Sequence, residues 1–457
     1  MSSESLYVGV DLSKRHHVAA LISTSLLGKH GRFEDCPTLS FAQSRAGFEQ
    51  FYAALTGHAP PAQIYVLVER TGHYGAALEQ FLHEQGIAVY RVHVREHVSR
   101  SKTDKRDAQA LAVLLYNQIE LHIPVLDKTQ RARPIVPPTP TATLLRGLVQ
   151  HRQELVREAT QRKNQLTSIA DELFPELEQV FRDVNSASAL ALRKAFPTPQ
   201  AVASADLLAL CATRPYSRPG SRALATLQEL ASRTIGTKNE WRMRSLVTEQ
   251  SQLIVELSLL NTHVAALTAE IEKLVRADRA GRILLSFPCV GVTHASVILA
   301  YIGNIGNFQT EAQFKSFCGW APTEFQTGVS FDYSVLKKSG HSMLKQTFYL
   351  ITMATIHHDT RWAELYQRLL PTKAHYNARK GKWEGTMSII GRVAGQMAGV
   401  MYTLLKRDAE VLASLKEGEE VPEPELYDPA KHFIGKRAQS LHVRPPVLRL
   451  LEQAGGE

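Results

Sequence analysis

The sequence predicts an α/β domain at the N-terminus, followed by a long helical segment and then a mainly α-helical C-terminal region. Strand-length apolar runs alternate with helical patterns up to about residue 120. Beyond residue 143, apolar residues recur at alternating steps of four and three, as they do along the packed face of a long helix. With 457 residues, two or three domains are expected.

The N-terminal elements alternate in type. The predicted strands cover 5–12, 17–23, 31–36, 64–69 and 88–93. The predicted helices cover 48–55, 74–86, where Gly86 closes the helix, and 107–120. An order of three strands, helix, strand, helix, strand and helix is typical of the RNase H-like fold.

Four carboxylates occupy the ends of these elements. Asp11 ends the run LYVGV, Glu69 ends IYVLV, and Asp104 and Asp107 share one helical face through their i,i+3 spacing. Two carboxylates about 4 Å apart repel by roughly 4 kcal/mol, so such a cluster needs a shared proton or a cation. Each acid alone is explained as a turn or cap residue. Together, with no paired His or Cys nearby, they predict a Mg²⁺ or Mn²⁺ site.

Basic residues surround the last two acids. The segment from the final strand to Asp107 contains Arg91, Arg95, Arg100, Lys102, Lys105 and Arg106. A solvated charge run is one explanation, and phosphate contact beside a metal site is the favoured one. The formal charge of +9 and pI of about 9.3 suit a polyanionic partner. Four scattered cysteines indicate neither zinc nor disulfides, and no apolar run predicts a membrane span.

The middle of the chain is predicted to be helical. Residues 127–142 contain four prolines and predict an extended linker after a first domain over 1–126. The region 143–279 is predicted to be helical or coiled-coil, with a proline-broken helical insertion over 175–240. A heptad seam runs through Leu253, Leu257, Leu260, Val264, Leu267, Ile271 and Leu274. Its partner helix belongs either to the same chain or to another subunit.

The C-terminal domain, 280–410, contains two phosphate-binding candidates. The turn at Gly291 in SFPCVGV resembles a helix-hairpin-helix, and an ordinary αα-turn is an equal alternative. The second candidate is a basic loop with Lys337, Lys338, Gly340, His341 and Lys345. The polar tail, 411–457, is predicted to be partly disordered.

These motifs together resemble the insertion sequence 110 family of transposases, also called DEDD transposases or bridge-RNA-guided recombinases. The resemblance rests on YVGVD, VLVERTG, KTDKRDA, SFPCVGV, CGWAPTEFQTG and LKKSGHSMLK, and covers roughly 5–125 and 280–410. It implies a RuvC-like catalytic domain, a coiled-coil dimerisation segment and a C-terminal transposase domain. The four acids match those of the family, and Lys338, Gly340 and His341 match its basic turn.

The resemblance also implies a mechanism. In the family, a serine of a Ser-Gly pair attacks a DNA phosphate and forms a covalent 5′-phosphoserine link. A structured element-encoded RNA pairs with donor and target DNA. This chain has Thr327-Gly328 at that position. Three hypotheses follow: Thr327 is the nucleophile, Ser330 is the nucleophile instead, or the chain has lost strand cleavage.

The partners implied are donor DNA, target DNA, a guide RNA and further copies of the chain as a dimer or tetramer. The location implied is the prokaryotic cytoplasm, in association with the nucleoid. Two alternatives stay open. A nuclease resembling Holliday-junction resolvases would use water as its nucleophile and would give Thr327 no role. A nucleic-acid-binding protein with a silent site would tolerate Asp11→Asn without loss of activity.

Overall fold

The computed structural model describes residues 4–69, 74–92, 103–125, 131–207, 220–327, 331–336, 340–358 and 360–431, with backbone only for 322–327 and 331–336. The chain forms two compact units. The first comprises Met1–Thr139 with Gly303–Gln309, and the second comprises Pro140–Ile302 with Thr310–Glu457. A mixed α/β N-terminal part followed by a mostly helical remainder confirms the predicted order of fold classes.

The first unit contains one mixed six-stranded sheet. Its strands are β1 (Leu6–Asp11), β2 (His16–Ile22), β3 (Thr38–Ala42), β4 (Ile64–Glu69), β5 (Ala88–Val92) and β6 (Arg133–Pro134), in the order β3-β2-β1-β4-β5-β6. Strands β1, β4 and β5 are parallel, and the other pairings are antiparallel. The helices are α1 (Thr24–His30), α2 (Arg45–Thr56), α3 (Ala76–Glu84) and α4 (Asp104–Ile119), with short 3₁₀ turns at Phe33–Asp35 and Pro61–Gln63.

Two local predictions in this unit differ from the structure. The strand predicted over 31–36 is wrong: Gly31 ends α1 with a φ of 76°, a 3₁₀ turn follows, and the third strand is β3. Pairing with β2 and burial of Phe41 select the later segment. The segment predicted as an extended linker instead adds Arg133–Pro134 to the sheet as an edge strand, a position that tolerates proline.

Two long helices dominate the second unit, α5 (Pro140–Leu173) and, later in the chain, Glu240–Ala277. They run antiparallel. Arg242 pairs with Glu172, Arg162 with Glu256, and Arg152 donates to the Thr268 hydroxyl, so the contacts descend one helix as they ascend the other. The heptad seam of the later helix therefore packs on α5 of the same chain, where Leu253 and Leu257 are buried.

Between these helices lies a small helical insertion, as predicted. It contains a 3₁₀ turn (Pro175–Gln179), α6 (Ala187–Ala195), α7 (Pro199–Ser204) and α8 (Ser221–Ser232), so that Glu240–Ala277 becomes α9. The guanidinium of Arg193 is buried and donates to the Gln250 side chain and to the Leu166 carbonyl. Within the described part of the chain, α9 is the one helix long and apolar enough to span a membrane, which is weak evidence for a span.

The remainder of the second unit is a helical layer with two β-hairpins. Its helices are α10 (Arg279–Leu285), α11 (Val292–Ile302), α12 (Glu311–Phe317), α13 (Ser342–Ile356), α14 (Arg361–Lys373) and α15 (Met387–Ser414); a 3₁₀ turn at Ile305–Asn307 belongs to the first unit. The strands are β7 (Pro322–Thr327), β8 (Phe331–Leu336), β9 (His375–Asn377) and β10 (Lys382–Glu384). Helix α15 lies at the centre of this layer, with Val393, Met397 and Met401 fully buried.

The start of the predicted polar tail is held against the helices. Helix α15 extends to Ser414, and the segment 415–431 then follows the surface. The backbone N–H of Tyr427 donates to the Ser286 hydroxyl, and its ring stacks on Phe287 at 4.6 Å. The prediction of disorder for residues 432–457 lies outside the described residues.

Candidate active site

Asp11 and Glu69 lie side by side at the carboxyl end of two parallel strands. In the β1–β4 register, Gly9 pairs with Leu67 and Val10 with Val68, so Asp11 and Glu69 each stand one residue further on. Adjacent strands are about 4.8 Å apart, and paired residues share one face of the sheet. The sheet therefore brings these two acids to one edge, as the sequence predicts.

Helix α4 brings the other two acids toward the same end. It packs antiparallel to β1. Tyr7, near the start of the strand, lies at the C-terminal end of the helix, where its hydroxyl donates to Glu120 at 2.5 Å. Two residues along the strand, Gly9 abuts Ala108 at the N-terminal end of α4. Continuing in the same direction, Asp11 is the next residue on this face of β1. Asp104 and Asp107 lie in the first turn of α4, immediately before Ala108.

The four acids do not form a closed cluster. Among the described residues, no group of three or more His, Cys, Asp or Glu is arranged to hold one metal ion. Asp104 is exposed and Asp107 half-buried at the start of α4, where Thr103 caps the helix. The all-oxygen donor set suits a hard divalent cation.

His17 lies beneath this edge of the sheet and was not predicted from the sequence. Its ring is fully buried. Nδ1 accepts the Ser13 backbone N–H at 3.2 Å, which leaves Nε2–H to donate to the Gln43 side chain. Burial lowers the pKa of His17. The neutral ring therefore holds the β1–β2 turn that follows Asp11. The alternation in HHVAALI gives the only sequence signal, a His on the inward face.

Of the predicted basic residues near the acids, Lys105 and Arg106 are exposed on the first turn of α4. Arg91 is instead paired with Glu79 at 2.5 Å. Arg95, Arg100 and Lys102 lie outside the described residues.

In the second unit, the predicted SFPCVGV turn joins α10 to α11. Cys289 adopts a φ of 61°, the left-handed conformation that favours glycine. The turn lies against α13, where the Thr355 hydroxyl oxygen is 3.4 Å from the Pro288 carbonyl oxygen and donates to the Ile351 carbonyl at 2.7 Å. Nothing lies within 4 Å of a Cβ built at Gly291, so this backbone is accessible.

The candidate nucleophile ends a strand. Thr327 is the last residue of β7 and pairs with Phe331 at the start of β8. Ser330, Lys337 and Lys338 lie outside the described residues. The structure therefore gives Thr327 a place at the end of a β-hairpin, next to the connection that contains Ser330.

The described part of the basic loop packs on the CGW motif. Gly340 has a φ of 120° and lies against Gly319, where a Cβ at position 340 would come within 3.0 Å of the Gly319 backbone. The next residue, His341, donates its backbone N–H to the Phe317 carbonyl at 2.9 Å, and its ring lies 4.2 Å from Tyr301.

Lys345, one turn into α13, completes this contact. Its ammonium lies 5.9 Å from the centroid of the Trp320 ring, and the Trp320 indole N–H donates to the Lys345 carbonyl. The motif CGW and the pair Gly340-His341, which are distant in sequence, thus form one local structure.

Comparison with known proteins assigns the chain to a family. A DEDD transposase model of the IS110 group, described as "Transposase", matches residues 8–175, and a model described as "Transposase IS116/IS110/IS902 family" matches 281–367. This chain belongs to the IS110 family of transposases. The two IS110-family matches contain all four acids, Thr327 and the described basic turn, in the order the sequence predicts.

Three curated relatives are similar to this IS110-family chain. The "Mini-circle putative transposase for IS117" of Streptomyces coelicolor is 24% identical over 88% of this chain and 95% of the relative. The IS116 44.8 kDa protein of Streptomyces clavuligerus is 21% identical over 81% and 96%. The IS110 43.6 kDa protein of S. coelicolor is 25% identical over 57% of this chain, and the alignment spans 62% of that relative.

Proposed function

We propose that this IS110-family chain cuts and rejoins DNA strands through a covalent protein–DNA intermediate, assisted by the carboxylates of a RuvC-like domain. The observation that best supports this proposal is that Asp11 and Glu69 lie next to each other on neighbouring parallel strands. Both strands face the helix that begins with Asp104 and Asp107. Ionised carboxylates at such an edge repel one another at neutral pH unless a cation or a shared proton lies between them.

Mg²⁺ or Mn²⁺ is the proposed cofactor, with Asp11, Glu69, Asp104 and Asp107 as its ligands. Bound there, a divalent cation would neutralise charge on the phosphate and stabilise the developing oxyanions. Asp104 and Asp107, on the first turn of α4, would join the two strand-end acids in holding the ion. Lys105 and Arg106, exposed on that turn, are proposed to contact the DNA backbone.

The proposed nucleophile is the Thr327 hydroxyl. It loses its proton to a base, its oxygen forms a bond to phosphorus, and the phosphorus bond to the 3′-oxygen breaks. The 3′-oxygen leaves with a proton as a free hydroxyl, and the DNA 5′-phosphate stays on the protein. Attack by another 3′-hydroxyl reverses the step, so rejoining needs no ATP. The β-branch of threonine crowds this attack relative to serine.

A structured guide RNA, donor and target DNA and further copies of the chain are the proposed partners, in a prokaryotic cytoplasm. The alternative enzymatic function is a metal-dependent nuclease that uses water. It requires the same acids and gives Thr327 no role. A silent nucleic-acid-binding protein is the second alternative.

The test incubates the full chain, its co-purifying RNA and an end-labelled junction DNA with Mg²⁺, and resolves adducts on a denaturing gel. Wild type, Thr327→Ala, Thr327→Ser, Ser330→Ala and Asp11→Asn are compared. We expect an adduct from wild type, Thr327→Ser and Ser330→Ala, and none from Thr327→Ala or Asp11→Asn.

Loss of the adduct in Ser330→Ala alone would move the nucleophile to Ser330. DNA cleavage that needs Asp11 but gives no adduct in any variant would establish hydrolysis by water and overturn the covalent mechanism. Cleavage or joining unaffected by Asp11→Asn would remove the acids from the reaction.

A further inference from the structure

The connection between α14 and α15 projects from the second unit as a β-hairpin. Strands β9 and β10 pair antiparallel, with Tyr376 opposite Trp383 and Asn377 opposite Lys382. Every residue from 366 to 388 is described, and none of them is buried. This stretch therefore contributes nothing to the core of the unit. The hairpin itself, residues 373–384, also lies beyond residue 367, where the second family match ends.

The hairpin is strongly basic. Residues 373–384, KAHYNARKGKWE, contain four cations and a single carboxylate. All four cations, Lys373, Arg379, Lys380 and Lys382, are exposed. A net formal charge of four minus one, or +3, over twelve residues compares with +9 for the whole chain of 457 residues. A third of the net charge thus lies on one small projection.

The tip is held in a defined shape. The Lys380 backbone N–H donates to the Asn377 carbonyl at 3.2 Å, and Gly381 takes a φ of 59° to complete the turn. The Asn377 amide donates to Glu384 at 3.1 Å, and the Lys380 ammonium lies 3.0 Å from the same carboxylate. The single acid of the hairpin therefore braces its tip.

One face of the ribbon is aromatic. The rings of Tyr376 and Trp383 meet edge to face, with centroids 5.3 Å apart. An isolated two-stranded hairpin is marginally stable in water, and this cross-strand pair supplies packing that the core does not. The shape is thus maintained where the side chains remain accessible to a partner.

From these observations we propose that the hairpin 373–384 is a DNA-binding wing that docks on the phosphates of a DNA duplex. A two-stranded β-ribbon fits the major groove, which is about 12 Å wide. Arg379 and Lys382 at the tip and Lys373 at the base would contact backbone phosphates on either side of that groove. The inference rests on the chain acting on DNA, as a transposase, and is independent of the acid cluster and of Thr327.

The test measures duplex binding by fluorescence anisotropy as a function of salt concentration, in EDTA so that no cleavage occurs. The variant carries Lys373→Gln, Arg379→Gln and Lys382→Gln, and leaves Lys380 in place because it pairs with Glu384. The control carries Lys194→Gln, Lys238→Gln and Lys416→Gln, three exposed lysines elsewhere in the same unit. Each triple variant lowers the formal charge from +9 by three, to +6.

Each lost phosphate contact reduces the slope of log Kobs against log salt by about 0.9. We expect the hairpin variant to lower that slope by about 2 to 3 and to weaken duplex binding about tenfold near 0.1 M salt. The control should retain the wild-type slope. Thermal melting of both variants at the wild-type temperature would exclude misfolding as the cause.

Equal slopes in the hairpin variant and the control would overturn the proposal. So would a loss confined to RNA, measured on an RNA duplex and a single-stranded RNA in parallel. A hairpin variant that binds duplex DNA normally refutes the wing without touching the covalent mechanism. Conversely, a wild-type chain that forms no adduct refutes that mechanism and leaves the binding result intact.

Discussion

Gly9 on β1 lies against Ala108 on α4 so closely that a Cβ at position 9 would come within 3.0 Å of the Ala108 carbonyl oxygen and of the Ala112 nitrogen. Only glycine permits this approach, because both neighbouring atoms belong to the helix backbone and cannot rotate away. The contact is two residues from Asp11 on the strand and one from Asp107 on the helix. It therefore sets the spacing between the acid-bearing elements.

We expect Gly9→Ala to lower the free energy of unfolding by about 1–3 kcal/mol, because the added methyl must displace α4. It should also abolish adduct formation, since Asp104 and Asp107 move with the helix. Urea denaturation and the gel assay measure the two effects. The matched control is Gly28→Ala in α1, where no atom lies within 4 Å of the new Cβ. Equal stability of the two variants would contradict the close approach.

His17 should make the stability of the chain depend on pH. Burial lowers its pKa below the usual 6.5, so below that pH the unfolded state binds more protons than the folded state. The free energy of unfolding therefore falls as the pH drops below about 6.5, by at most about 1.4 kcal/mol per pH unit for this group. Urea denaturation between pH 7.5 and 5 should show a shallower fall in His17→Gln than in wild type.

His83 and His294 are half-buried, and their partial burial also lowers their pKa values, so some pH dependence will remain in that variant. His16→Gln, an exposed neighbour on β2, serves as the control and should follow wild type. A His17→Gln curve parallel to wild type would show that the ring does not titrate on unfolding.

Gly340→Ala should lower the free energy of unfolding of the second unit by more than backbone strain alone would lower it. A side chain there suffers both the φ of 120° and a clash with the Gly319 backbone. Gly418→Ala has a φ of 92° and open space, so it measures strain without the clash. We expect a loss of about 1 kcal/mol for Gly418→Ala and about 2–4 for Gly340→Ala. Similar losses, measured by urea denaturation, would mean that the pair Gly340-His341 and the CGW motif separate easily.

Tyr427 should anchor the segment 415–431. Its ring stacks on Phe287, and burial raises the pKa of its hydroxyl to about 12. We expect Tyr427→Ala to cost about 1–3 kcal/mol and to expose the segment to limited proteolysis. The neighbouring Leu426 is 48% exposed, so Leu426→Ala should change stability by less than about 0.5 kcal/mol. Unchanged proteolysis in Tyr427→Ala would show that other contacts hold the segment.

Local pattern was a good guide wherever neighbouring residues decide the outcome. Strands β1, β2 and β4 and helix α2 lie within a few residues of their predicted bounds. The failures came where a distant partner decides. The segment 31–36 was predicted as a strand, but β2 pairs with 38–42. Nothing local in RARP marks it as the last strand of the sheet.

The sequence by itself determined the four acids, their assignment to strand and helix ends, the heptad face of α9 and the hydroxyl at position 327. These depend on residue type and on periodicity within one or two turns. Only the tertiary structure decided that α5 covers the heptad face and that Gly9 admits α4 to the sheet. The reason is physical: such contacts join residues far apart in sequence, and their geometry depends on how whole elements pack.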